Sequence, residues 1–218
     1  MGLGPLIHNY SYHEPLGSTF FWKRLMGDFI VFLPVRDAER ASLGGKGANL
    51  SRLMERGLRV PEGFVVKAEA YRGHLARAGA AGQIEHALSA TEEERPKLLE
   101  AVRDAVERTS LEAVFTRDFA HALEEFGAFP LAVRSSATSE DSSQRSFAGQ
   151  FETVLGASGL ESCTRALKRV WASAWTDRAV AYRLKHSSDA QAFAMAAVDP
   201  AVVISIPPVA PAFANCCM

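Results

Sequence analysis

The chain has 218 residues, 48% of them hydrophobic and 22% charged, with a formal net charge of −1. That gives room for one sizeable domain or two small ones with a real core, and the near-neutral charge argues against a generic nucleic-acid or membrane-surface binder. No apolar run approaches the roughly 20 residues of a membrane helix, and residues 1–10 lack the basic and apolar regions of a secretory signal.

Residues 1–27 read as an irregular leader. Gly2, Gly4, Pro5, Pro15 and Gly17 break any period, and Met26 raises the expectation of an overextended start. A strand-like run follows at 29–35, then a polar connection at 37–42 leads into Gly44, Gly45, Lys46 and Gly47. Beyond them Leu50, Leu53, Met54 and Leu58 recur at helical spacing, which predicts a helix that starts at the glycines, buries that face, and ends in a left-handed cap at Gly57. Three glycines around one lysine suit a backbone that closely approaches an anion while the lysine supplies charge. An exposed turn accommodates the same tetrapeptide. The loop is not of the Walker type, since neither Ser nor Thr follows Lys46.

Residues 60–63 form a turn into a short buried strand at 64–66, and the alanine-rich stretch 68–78 predicts a helix. A loop containing Gly79 and Gly82 is expected next, then helices over 96–108 and 110–126. The second of these carries Leu111, Val114, Phe115, Phe119, Ala122, Leu123 and Phe126 as a core stripe. Leu131, Ala132 and Val133 begin another strand, and Arg134 to Thr138 close it. Residues 139–146 are almost entirely polar, so a loop is expected there, and a strand pattern resumes to Leu155 with Phe151, Thr153 and Leu155 alternating against Glu152 and Val154. Strand, hydroxyl-rich loop and strand have the layout of a flap. A long helix follows Gly159, with Leu160, Cys163, Leu167, Val170, Trp171, Ala174 and Trp175 on one face, restarting near Thr176 and running to Lys185.

Two further features bear on chemistry. Arg134 sits where a strand delivers a guanidinium to a Ser/Thr-rich loop, and its planar fork of donors suits phosphate oxygens; a structural pairing with Glu140 or Asp141 is the competing reading. The run Ser146, Phe147, Ala148, Gly149, Gln150 offers a glycine able to bring backbone N–H groups against a polyphosphate, or a simple hairpin bend. Three anion-friendly elements together favour a nucleotide triphosphate site. The six histidines are scattered singly and read as surface or core residues. Cys163, Cys216 and Cys217 form neither a disulfide framework nor a metal-ligand spacing, so a reducing cytoplasm is the expected setting.

Several ordered motifs resemble one family. Gly44-Gly45-Lys46-Gly47-Ala48-Asn49-Leu50, Val60-Pro61-Glu62-Gly63-Phe64, the run from Ala132 through Arg134-Ser135-Ser136 to Asp141, Ser146-Phe147-Ala148-Gly149-Gln150, and Trp171-Ala172-Ser173 through Arg178 to Tyr182-Arg183 look like the N-terminal ATP-binding domain of the phosphoenolpyruvate synthases (pyruvate, water dikinases). Pyruvate phosphate dikinase and the rifamycin phosphotransferases share that domain. The resemblance covers residues 29–196. It implies an α+β fold, the N-terminal part of an ATP-grasp nucleotide-binding domain, in which Lys46 and Arg134 contact the phosphates of ATP and residues 146–150 close over them. It also implies Mg2+ and pyruvate for the complete enzyme, which passes phosphoryl groups from ATP through a histidine on a separate swivelling domain to pyruvate, yielding phosphoenolpyruvate, AMP and phosphate. No nucleic-acid or membrane partner is expected.

After Ala196 the chain departs from the family pattern. Residues 197–218 are expected to be an aberrant tail, from a shifted frame or a truncation, and the domain proper to span 28–196. On that expectation the chain holds neither the phosphohistidine nor the metal-binding carboxylates. It is then a partial nucleotide-binding module, catalytically silent alone or completed by a polypeptide carrying the missing domains; a rifamycin phosphotransferase fragment is the other family reading.

Overall fold

A computed structural model describes residues 29–35, 43–58, 60–127, 130–137, 152–185 and 200–205. Among them five strands form one sheet: β1 (Ile30–Phe32), β2 (Gly63–Val66), β3 (Leu131–Ala137), β4 (Thr153–Ala157) and β5 (Pro200–Ser205). The order across the sheet is β1-β2-β5-β3-β4, and every neighbouring pair is antiparallel. The helices are α1 (Gly44–Glu55), α2 (Ala68–Arg77), α3 (Ala80–Ser89), α4 (Arg95–Arg108), α5 (Ala113–Glu124), α6 (Gly159–Ser173) and α7 (Asp177–Lys185). The fold is α+β.

Successive strand residues face opposite sides of a sheet, and the register carries that alternation across it. Phe64 is opposite Ile204 and Val65 opposite Val203; Ile204 is in turn opposite Val133, and Val203 opposite Arg134. One face therefore presents Phe64, Val66, Val133, Val202 and Ile204, which join Tyr71, Leu99, Phe119, Leu167 and Trp171 in the main core. Burying each large side chain of this kind contributes roughly 1.5–3 kcal/mol. The opposite face presents Val65 and Val203, which cluster with Val35 and Leu43, and Leu50 of α1 packs against them. The bulk of the helical layer thus covers one side, while α1 and Arg134 share the other.

Several helices follow their sequence signals closely. In α6, Cys163, Ala166, Leu167, Val170 and Trp171 are all buried, at the i, i+3, i+4, i+7, i+8 spacing of a single helix face. Cys163 is a free thiol, and burial pushes its pKa up. Thr176 starts α7 by accepting a hydrogen bond from the Ala179 N–H at 3.3 Å, the N-cap pattern of a side-chain oxygen serving the third helical N–H. The corner between α6 and α7 is locked by Arg183, 1% exposed, which donates to the Ala174 carbonyl at 2.5 Å and lies over the Trp175 ring at 5.3 Å. Burial lowers the Arg183 pKa to about 10, so it remains protonated near neutrality.

Several sequence expectations need correction. The stretch read as a loop with Gly79 and Gly82 contains α3, whose buried residues Ala80, Ile84, Ala87 and Leu88 share one helical face. Gly79 supplies its left-handed entry at φ 62°, and Gly82 faces open space, where a glycine costs only about 1 kcal/mol. Helix α5 begins at Ala113, not 110, and Val114 is 46% exposed, so the apolar stripe is narrower than its sequence spacing predicts. On β4 the expected alternation is present, with Val154 packed against the core and Leu155 63% exposed.

The proline-flanked stretch 200–205 falls inside the region expected to be an aberrant tail. Instead it forms β5, paired with β2 on one side and β3 on the other. Val202, Val203 and Ile204 are almost wholly buried, and Gly63 has no Cβ to overlap the Ile204 carbonyl oxygen. Residues 206–218 and the leader lie outside the described residues.

Candidate functional site

Helix α1 and strand β3 meet because small residues allow it. Gly44, Gly47, Ala48 and Ser51 lie at i, i+3, i+4 and i+7, and all are buried. This corrects the expected buried face: Leu50, Leu53 and Met54 are only half-buried and Leu58 is 54% exposed. A Cβ on Gly44 would lie within 2.5 Å of the Ser136 carbonyl carbon, and one on Gly47 would lie 3.1 Å from Val65 Cγ2. Gly44 is therefore required by the β3 backbone beneath it, and Gly47 packs tightly against Leu43 and the β2 residue Val65. At the far end the Gly57 N–H donates to the Met54 carbonyl and the Leu58 N–H to the Leu53 carbonyl, with Gly57 at φ 72°; this paired closure ends the helix as its sequence predicts.

Two side chains clamp α1 in place. The Ser51 hydroxyl accepts from the Val35 N–H at 2.9 Å and donates to the Val35 carbonyl at 3.0 Å. The Ser136 hydroxyl, fully buried on β3, donates to the Leu43 carbonyl at 2.8 Å and accepts from the Gly47 N–H at 3.0 Å. The N-terminal turn of α1, where the partial positive charge of a helix is concentrated, is thereby fixed to the C-terminal end of β3. Lys46 is the exposed residue of that turn.

Arg134 precedes Ser136 by two residues, so both project from the same sheet face, about 7 Å apart along the strand at the usual rise. Its cross-strand partners on that face are buried Val203 and exposed Thr153. Arg134 is half-buried, and its Nε is buried with no hydrogen-bond partner among the described residues. An orphan donor of this kind costs roughly 1–3 kcal/mol unless something accepts from it. The carboxylates weighed as its partners, Glu140 and Asp141, and the expected phosphate loop, Ser146, Phe147, Ala148, Gly149 and Gln150, all lie outside the described residues. What is described is where that segment leaves and returns. It departs from β3 after Ala137 and returns at Glu152, beside the Thr153 that pairs with Arg134. The return is anchored on α6, where the Glu152 N–H donates to Ser173 Oγ at 3.0 Å and the Glu152 carboxylate pairs with Arg169 at 2.5 Å.

In the sequence Ser136 is only one residue of a motif, with no role assigned to it; a buried hydroxyl bridging two elements 89 and 93 residues apart carries no local signal. Tyr182 and Arg183, also in the motifs, belong to α7 in the helical layer, with Arg183 serving the corner described above. Among the described residues there is no group of three or more His, Cys, Asp or Glu that could hold a metal ion, and no helix is long and apolar enough to cross a membrane.

A lysine in the first turn of a glycine-opened helix, and an arginine with an orphan donor on the adjoining strand, make a cationic sheet face suited to a polyanion. A family model described as "Pyruvate phosphate dikinase, AMP/ATP-binding domain" matches residues 40–205, and the chain belongs to this family. It is 40% identical over 167 residues to a phosphoenolpyruvate synthase of Aeropyrum pernix, covering 72% of this chain and 20% of that protein. A rifampicin phosphotransferase of Bacillus cereus is 36% identical over 171 residues, 75% of this chain and 20% of that one. A phosphoenolpyruvate synthase of Neisseria meningitidis is 39% identical over 166 residues, 70% of this chain and 21% of that one. The chain thus spans about one fifth of the length of the curated relatives it matches.

Proposed function

We propose that this chain binds the polyphosphate of ATP through Lys46 and Arg134, as one wall of an ATP-grasp-type cleft. The single observation that carries the reading is the buried, unpartnered Nε of Arg134 on the sheet face that α1 shares. In this role Lys46 supplies a point charge and Arg134 a planar fork, each neutralising oxygens of a transferred or leaving phosphoryl group. Residues 146–150 are assigned to close over the phosphates, with the Gly149 backbone approaching them. The folded domain is taken as residues 28–196, with strand 200–205 completing its sheet.

The larger reaction we assign is that of a pyruvate, water dikinase. ATP, pyruvate and water give AMP, phosphoenolpyruvate and phosphate, through a phosphohistidine on a domain outside this chain. Pyruvate and Mg2+ belong to that complete assembly. The described residues bring no metal-ligand set together, and the roles given to Lys46 and Arg134 involve none. These residues supply nucleotide binding, and turnover belongs to the complete assembly with its remaining domains. Relatives named rifampicin phosphotransferase, 36% and 38% identical, keep a second acceptor in view; the nucleotide site is the same under either reading. A cytoplasmic setting fits the free thiol of Cys163.

Titration of the chain with ATP tests the assignment. Charge-assisted hydrogen bonds contribute roughly 1.5–3 kcal/mol, so Lys46→Ala and Arg134→Ala should each weaken ATP binding by about 10- to 150-fold. Unchanged affinity in both variants would return Lys46 to a solvated turn and Arg134 to a structural role.

A further inference from the structure

We propose that Ser136 is a positioning residue for nucleotide phosphates: its hydroxyl sets the spacing between the turn that carries Lys46 and the strand that carries Arg134. The proposal rests on the ATP-binding reading above and adds to it a residue that touches no ligand itself.

The hydroxyl is buried and uses both of its capacities. Its proton goes to the carbonyl of Leu43, the residue just before α1, and its lone pair receives the N–H of Gly47, the residue just after Lys46. Lys46 is therefore bracketed by two bonds to one side-chain atom. The same atom belongs to the strand position two residues beyond Arg134, on the same face. The backbone enforces the approach as well, since Gly44 lies so close to Ser136 that a Cβ there would overlap the Ser136 carbonyl oxygen.

A hydroxyl at this position acts as a short strut. Ser51 holds the middle of α1 to Val35, in the segment after β1, so loss of the Ser136 bonds frees the first turn selectively while the rest of the helix stays docked. On the proposed reading Lys46 and Arg134 both serve the phosphates, whose contacts depend on the relative placement of the two cationic groups. Loosening the strut should therefore fall on the phosphates alone.

The experiment compares ATP and adenosine binding by the full chain with that of Ser136→Ala. Positioning predicts that the ATP-to-adenosine affinity ratio falls about tenfold or more, because displacements near 1 Å are enough to spoil such contacts. Ser136→Cys, which keeps the volume and a weak donor and acceptor, should lie between the two. A merely structural role lowers the thermal midpoint and leaves the ratio at the wild-type value, and that result overturns the proposal. If Ser136→Ala does not fold, the ratio is read on Ser136→Cys, where a fall supports the proposal and an unchanged value overturns it. Failure of the underlying reading looks different. A wild-type chain with no preference for ATP over adenosine, or one insensitive to Lys46→Ala and Arg134→Ala, removes the site itself and the proposal with it. Sensitivity to those two variants with a ratio unmoved by Ser136→Ala removes the positioning role alone.

Discussion

Replacing Gly44 with alanine tests whether the glycine loop is shaped by the strand beneath it. Two costs can be read from the geometry. Gly44 has φ +67°, and holding an L-residue in that left-handed conformation costs roughly 1–2 kcal/mol. The new methyl would also overlap the Ser136 carbonyl, and because that obstacle is strand backbone it cannot rotate away, adding about 1–3 kcal/mol of overpacking. The sum, about 2–5 kcal/mol, is a large fraction of the roughly 5–15 kcal/mol that stabilises an ordinary domain. Gly57 provides the control, since it has φ +72° with nothing within 4 Å of its would-be Cβ. Gly57→Ala should therefore show the backbone cost alone, about 1–2 kcal/mol. Gly82→Ala, in the exposed interior of α3 with open space around it, should stabilise by about 0.5–1 kcal/mol. Urea denaturation of the three variants, read as shifts in midpoint at constant slope, supplies the comparison. A Gly44→Ala variant no less stable than Gly57→Ala would refute the close packing of α1 on β3.

The helical layer yields two more predictions. His74 is buried and its Nε2 donates to the Val106 carbonyl at 2.7 Å; burial, against that bond and with Lys168 and Arg77 nearby, holds the imidazole below its ordinary range. Between that lowered value and the ordinary value near 6.5, the unfolded chain binds a proton that the folded chain does not, so stability rises with pH across this window and falls as pH drops through it. Denaturation at a series of pH values should show this slope in the wild type and a flatter one in His74→Phe; equal slopes would contradict it. Tyr71→Phe removes the acceptor for the Trp175 Nε1–H, bonded at 2.6 Å in the core, and should cost about 1–3 kcal/mol by leaving that donor unsatisfied, which calorimetry would detect as a lowered midpoint.

The sequence disclosed most where one face of an element does one job. Most of the α5 and α6 stripes, the cap at Gly57 and the restart at Thr176 are local patterns whose residues occupy the predicted places, with Val114 and Leu160 the exposed exceptions. It misled where tertiary contact outranks composition. In α1 the eye falls on Leu50, Leu53, Met54 and Leu58, yet the sheet takes the small residues, because a helix that must clear strand backbone docks through its glycines. In α3 two glycines resembled a loop, although one only turns the chain into the helix and the other faces solvent. Strand β5 was the least legible element, since Pro200 and an apolar run flanked by more prolines gave no period to follow; only pairing with both β2 and β3 defines it. At the candidate site, Lys46 and Arg134 could be picked out by residue type, but their common sheet face follows from register, and the Ser136 bridge between them exists only in the folded chain.

The most direct test of the central claim is a structure of the chain bound to a non-hydrolysable ATP analogue. The account predicts phosphate oxygens within hydrogen-bond distance of the Arg134 guanidinium, with the Lys46 ammonium on the same polyphosphate. A triphosphate bound away from this sheet face, or Arg134 engaged with a carboxylate of the chain while the nucleotide sits elsewhere, would contradict it.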